Sequence, residues 1–327
     1  MRMTGRILPL LPLTMLFPFM LSAQADTIES TDINKAFFRA IKLSGRPDFL
    51  ATDGDDAWVI DDNNSRIQKI SVKKDTPLLT IHLPGACGAP VVGFDALWVM
   101  SCSENTLYKI DTRTGRVLGK MATGIADDQG EISLATGEGS VWLLTDSAGI
   151  LERIDPLRVK VRARITVRPH SYCAGFGYHS IWVTNTGDHS VQRIDCRSNQ
   201  VVQTIPVGRR PRFLAVGEQG IWTLNQGDGT VTRIDPVTNK VVASIDAKVP
   251  GGGGDIAAGG GKIWIVSTNK ERPLQRINPA TNAIGTIYTY EGADHRRQLR
   301  VDGAVRVSGK YVWISNLYGG IVWVLPK

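Results

Sequence analysis

The chain has 327 residues, 42% of them hydrophobic and 21% charged, with a formal charge of +7. That is enough apolar material for a sizeable core and excludes a disordered polymer. The basic excess is modest, and the Lys and Arg residues are spread over the whole chain instead of gathering in a stripe, so nucleic acid is not the expected partner.

In chain order, Arg2 and Arg6 precede an apolar run over residues 7–21, and Ser22-Ala23-Gln24-Ala25 follows with small residues at both recognition positions. The run is shorter than the roughly 20 residues of a membrane span, and Pro9, Pro12 and Pro18 interrupt it. It reads as a secretory signal, residues 1–25, cleaved after Ala25. A periplasmic or secreted chain with no membrane span is expected, its single domain covering residues 26–327. Ala36 to Leu43 then reads as an isolated strand.

From this point the chain repeats. Trp58, Trp98, Trp142, Trp182, Trp222, Trp264 and Trp313 are separated by 40, 44, 40, 40, 42 and 49 residues, and a repeat of this period marks a closed or stacked array. The clearest unit predicts four short strands: Phe213 to Val216, Ile221 to Leu224 with its tryptophan, Thr230 to Ile234, and Lys240 to Ile245. Between the last two, Asp235-Pro236-Val237-Thr238-Asn239 has turn chemistry: Asp accepts from the backbone, Pro presets φ, and Asn tolerates a left-handed conformation. Similar turns recur at Asp111, Asp155-Pro156, Asp195 and Asn278-Pro279.

The expected fold is therefore all-β: a seven-bladed β-propeller of four-stranded antiparallel blades, since ring closure leaves no uncapped apolar face. The last unit has only three strands, Val305 to Val307, Val312 to Ser315 and Ile321 to Leu325. Ala36 to Leu43, the N-terminal strand, is expected to complete it. The repeated tryptophan packs between adjacent blades.

Four cysteines lie beyond the signal, where oxidation is permitted. Counting outward from a turn between Phe94 and Asp95 places Cys87 opposite Cys102 on neighbouring strands, and a disulfide is expected there. Cys173 falls opposite Thr184, too far from Cys196 for a second bridge, so these two are expected as separate thiols. No Cys/His pattern has zinc spacing.

Function is expected where blade-to-blade connections enter, around the axis on one face. Residues ten to twelve positions before each tryptophan differ from blade to blade: Arg46-Pro47-Asp48, Ala86-Cys87-Gly88, Gly130-Glu131-Ile132, His170-Ser171-Tyr172, Arg210-Pro211-Arg212, Gly252-Gly253-Gly254 and Val301-Asp302-Gly303. Candidate ligand-binding residues are Arg46, Asp48, Arg210, Arg212, Asp255, Asp302 and His295, the last in the extra chain between Tyr288 and Arg300. Arg209, Arg210 and Arg212, near Arg168, have the planar donors that clamp a carboxylate or phosphate. Glu131, His170, Asp255 and Asp302 form an alternative set of donors suited to a divalent cation, Mg or Ca.

The repeats, among them SIWVTNTGDHSVQRID over residues 180–195 and GIWTLNQGDGTVTRIDPVTNKVVASI over residues 220–245, resemble the YVTN-type bacterial propellers and especially the virginiamycin B lyase-like group. The resemblance covers all seven units. It implies the propeller fold, and for the lyases of that group it implies opening of streptogramin antibiotics by a divalent metal and acid/base residues at the ring centre. Pro169-His170 is the pair reminiscent of those lyases, in a blade two residues longer from proline to tryptophan than the Pro211 blade. The other lyase catalytic residues have no placed counterpart. Three functions follow as expectations. The first is a binding propeller, expected to be a monomer, for a small anionic molecule or a protein segment. The second is a metal-dependent lyase or hydrolase using His170 with Glu131 or Asp255 as catalytic candidates. The third is a weak nucleic-acid binder.

Overall fold

The computed structural model describes residues 28–61, 65–123, 133–144, 149–249, 251–290 and 301–327. Its strands pair antiparallel in sets of four. The innermost strands are Pro47–Asp53, Ala86–Gly93, Ser133–Gly137, Ser171–Gly177, Pro211–Gly217, Asp255–Gly259 and Val305–Ser308, and we number the units they begin blade I to blade VII. Each innermost strand touches those of both neighbouring blades, and that of blade VII touches that of blade I, so the described units close on themselves.

Closure uses the N-terminal segment twice. Arg39–Lys42 pairs antiparallel with Ile321–Pro326 and supplies the fourth strand of blade VII. The strand is shorter than the expected Ala36 to Leu43, because Ile33–Ala36 forms a single helical turn capped by Asp32, whose carboxylate accepts the Asn34 N–H at 2.9 Å. Just before it, Glu29–Asp32 adds in parallel to the outer strand of blade VI, a pairing the sequence pattern did not predict. Ile33 lies between the two attachments, buried among Trp264, Tyr288 and Trp323. One segment thus ties blade VI to blade VII.

All seven repeated tryptophans are fully buried, and each contributes on the order of 2–3 kcal/mol through the apolar surface it removes from water. Trp222, for instance, packs with Ile256, Ile263 and Ile277 of the next blade. In blades II to VI the indole N–H also donates to the carbonyl of a glycine five residues earlier, at 3.0–3.2 Å. Blades I and VII have Asp53 and Ser308 at that place, and the Trp58 and Trp313 indoles make no hydrogen bond among the described residues.

A cation on the third strand covers the tryptophan ring in blades I to VI: Lys69, Lys109, Arg153, Arg193, Arg233 and Arg276, at 4.9–5.6 Å. Five of them reach on to the next blade. Arg193 donates to the Pro236 carbonyl and the Asn239 amide oxygen, both at 2.8 Å, and Arg153 and Arg233 make the equivalent contacts to Cys196 with Asn199 and to Pro279 with Asn282. Five of the 38 Lys and Arg residues are therefore inter-blade fastenings. The turn asparagines have two jobs: Asn199, Asn239 and Asn282 adopt φ of 55–57° and accept from the preceding blade's arginine.

Cys87 and Cys102 form a disulfide, with Cα atoms 5.9 Å apart. The strand register is not the simple count expected: it holds from Gly93–Ala96 to Val91–Trp98, then a bulge slips Cys87 opposite Met100. The bridge therefore crosses the ladder diagonally. A similar bulge displaces Cys173, whose N–H donates to the Thr184 hydroxyl at 3.0 Å, and Cys173 and Cys196 are free thiols. A disulfide suits an oxidising compartment outside the cytoplasm. Among the described residues no helix is long and apolar enough to cross a membrane.

Candidate functional site at the axial channel

The innermost strands all start on one face, and there the connections between blades approach the axis. A cavity of about 250 Å³ opens between blades I, V, VI and VII, and Asp48, Arg212, Asp255 and Asp302 all line it. Its floor depends on glycine. Gly253 and Gly254 have φ of 71° and 91°, and a Cβ at Gly254 would lie 2.3 Å from the Val266 carbonyl oxygen. The close backbone lets the Gly254 N–H donate to Asp302 at 3.0 Å. Arg212 lies over the rings of Tyr172 and Phe213, at 4.6 and 5.3 Å, and lines the opening.

The other expected residues are placed differently. Arg46 donates its N–H to Asp61 at 3.0 Å and covers the Tyr318 ring, lining neither axial cavity. Arg210 is exposed, with φ of 50° and its N–H directed to His189 Nδ1. Arg168 pairs with Asp188 at 2.8 Å, and the Arg209 N–H donates to Asp228. Of the arginine cluster, Arg212 alone enters the mouth. His170 is exposed, its carbonyl accepting from Thr186, and it too lines neither cavity. Glu131, His295 and the rest of residues 291–300 lie outside the described residues.

Beneath the mouth lies a second cavity of about 240 Å³, which shares Phe49, Phe213 and Asp255 with the first. Its walls are mostly apolar, with Pro90, Leu134, Leu214 and Ile256 facing a few polar groups. Asp255 is buried and accepts from the Ile256 N–H at 2.8 Å, the Val305 N–H at 3.1 Å and the Arg306 guanidinium. Burial pushes its carboxyl above the ordinary range, against the opposing pull of Arg306. Desolvation likewise pushes up the Cys173 thiol, which leaves little thiolate for nucleophilic chemistry.

Arg306 was not among the expected residues, although the sequence carries a signal for it. Seven positions before each repeated tryptophan, and directly opposite it in the ladder, stand Ala51, Val91, Ala135, Gly175, Ala215 and Ala257. Blade VII alone has an arginine there.

No family model and no curated protein matches this chain. Among solved structures, a streptogramin B lyase superposes with a TM-score of 0.75 at 14% identity, covering 90% of this chain and 99% of that one. Virginiamycin B lyase from Staphylococcus aureus gives 0.72 at 14% identity over 88% and 98%. BamB from Moraxella catarrhalis gives 0.59 at 12% over 88% and 90%. The fold is that of the virginiamycin B lyase-like propellers. At these identities the likeness extends to the fold, and the chemistry has to be read from this propeller's own residues.

The described residues do not fit the divalent ion that the resemblance implies. No three His, Cys, Asp or Glu side chains among them gather as a metal requires. Asp255, the most buried carboxylate at the axis, already accepts from two backbone N–H groups and Arg306.

Proposed function

We propose that this propeller is an exported binding protein, periplasmic or secreted after cleavage at Ala25, that takes a small anionic ligand at the axial mouth on the blade-entry face. The observation that carries the reading is the pair of adjoining cavities on the axis, an opening lined by Arg212 with Asp48, Asp255 and Asp302 beside a chamber lined by Arg306 and apolar side chains. Each is a little below the roughly 300 Å³ at the lower end of small-molecule sites, and a concave lining of apolar side chains with a few oriented polar groups is the usual construction of such sites. Blade-to-blade divergence supports the same reading. Positions that fasten blades together repeat their chemistry, whereas those at the mouth do not.

The test is a calorimetric screen of small organic acids and neutral analogues against the full chain, repeated with Ala89→Phe, which fills the chamber from blade II. Binding by the wild type that Ala89→Phe abolishes is the expected result. Ligands that bind both proteins equally would place the site away from the axis.

A further inference from the structure

We propose that the ligand is a carboxylic acid with an apolar body, its carboxylate held inside the chamber by Arg306 and its body against the apolar walls. The inference rests on the axial-binding reading and adds the ligand's chemical class and the residue that recognises it.

Three observations converge on Arg306. The first is its departure from the repeat, an arginine where the other six blades place Ala, Val or Gly. A full guanidinium on an innermost strand projects charge into a channel that the small residues elsewhere leave open. The second is how it is held. Nη1 donates to Asp255 and to the Val305 carbonyl, while Nε and Nη2 make no hydrogen bond among the described residues, and the side chain lines the chamber at 27% exposure. One corner of the guanidinium is anchored, and the opposite edge, two parallel N–H groups, is without a partner among the described residues in a side chain that lines the chamber. That edge matches the two oxygens of a carboxylate in a bidentate pair. The third observation is Tyr172, a chamber-lining residue whose buried hydroxyl has no hydrogen-bond partner among the described residues. Buried hydroxyls are normally satisfied, so an acceptor brought by a ligand answers an unmet donor.

Asp255 does not cancel this site. It anchors the Nη1 corner of the guanidinium while two backbone N–H groups share its charge, which leaves the Nε/Nη2 edge for an incoming anion. The enclosure also sets the size. Phe49, Pro90, Leu134, Phe213, Leu214 and Ile256 offer aliphatic and aromatic contact to a short chain or a single ring.

Isothermal titration with hexanoate and phenylacetate, and with their neutral amides, tests the assignment. The acids should bind the full chain at least roughly tenfold more tightly than the amides, the difference expected of a charge-assisted pair. Asp255→Asn/Arg306→Gln removes the guanidinium without stranding a buried carboxylate, and it should erase that preference while amide binding persists. Tyr172→Phe, which keeps the ring and its packing, should weaken the acids by roughly three- to tenfold. If the double variant fails to fold, Arg306→Lys, which keeps the charge but loses the planar edge, should still cost the acids several-fold. Acids and amides bound equally, with both lost in Ala89→Phe, would overturn the carboxylate assignment and leave the axial site standing. No binding of either probe class to the wild type, or binding indifferent to Ala89→Phe, would overturn both.

Discussion

The two faces of this propeller follow opposite rules. On the side of the first and third turns of each blade, a tryptophan, a third-strand cation and the next blade's turn recur with nearly the same distances from blade II to blade V. On the blade-entry side, the mouth is lined from four blades by Asp48, Arg212, Gly253 and Asp302, with no shared chemistry. Repetition is what packing identical units demands, because each interface poses the same problem. Divergence around one axis is what an asymmetric ligand demands, since no small molecule has the symmetry of the ring. The glycine pair at the mouth shows the boundary between the two rules: the Gly254 N–H donates to Asp302 and a Cβ there would strike the Val266 carbonyl, yet the pair exists in one blade only.

The sharpest way to test this division is to remove one element from each side. Trp222→Ala should cause the largest loss, about 3–5 kcal/mol, because it leaves a cavity between blades V and VI that neighbouring strands cannot collapse to fill; urea unfolding measures it. Opening the Cys87–Cys102 bridge, which spans 15 residues, should cost about 3 kcal/mol, seen as a lower melting temperature in reductant that the Cys87→Ala/Cys102→Ala variant no longer shows. Arg193→Met, which keeps the stem over Trp182 but loses the contacts to Pro236 and Asn239, should cost about 1–2 kcal/mol. Arg212→Met is the matched control. It should change stability by less than about 1 kcal/mol and instead weaken ligand binding, and equal stability losses in the two arginine variants would erase the distinction between the faces.

The same division explains what was legible in the sequence. The tryptophan spacing and the Asp-Pro turns located the blades, because core packing and turn geometry impose residue types at a fixed period. The missing fourth strand of blade VII was legible as a deficit. The pairing of Glu29–Asp32 was not, since a short polar strand added to an outer edge carries no alternating pattern. Arg193 and its equivalents recur 11 residues after the tryptophan in blades I to V and 12 in blade VI, a period the sequence carries, but residue type alone does not separate a cation stacked on an indole from ordinary surface charge. The Cys87–Cys102 bridge was legible, but the bulge through which the strands reach it is an irregularity that a symmetric hairpin count does not foresee. At the mouth, proximity to the blade start found Asp48, Arg212, Asp255 and Asp302 but also Arg46, Arg210 and His170, which the same strands direct elsewhere. Arg306 is hard to read from sequence because it lies within a first strand, at a place where the other six blades carry Ala, Val or Gly, and not among the divergent residues that precede the strands.

The smallest expected effect separates the faces by the sign of their pH dependence. Asp155, in the turn of blade III, accepts from the Arg158 N–H and from Arg162, and these hold its carboxyl down to about 2. A carboxyl lowered in the folded state stabilises the protein above its unfolded value, and that contribution disappears as pH falls from near 4 toward 2. Asp255 has the opposite shift. Because burial raises its carboxyl, the folded state holds the proton more tightly than the unfolded chain; its contribution is fully present below about pH 4 and declines as pH rises through the folded value. Urea midpoints measured from pH 2 to pH 8 should therefore show a shallower acid limb in Asp155→Asn, and loss of the decline on the rising side in Asp255→Asn. The two variants should bend the curve at opposite ends. A common response would mean that Asp255 is as solvated as a turn carboxylate, and the axial chamber would then be too wet to discriminate an acid from its amide.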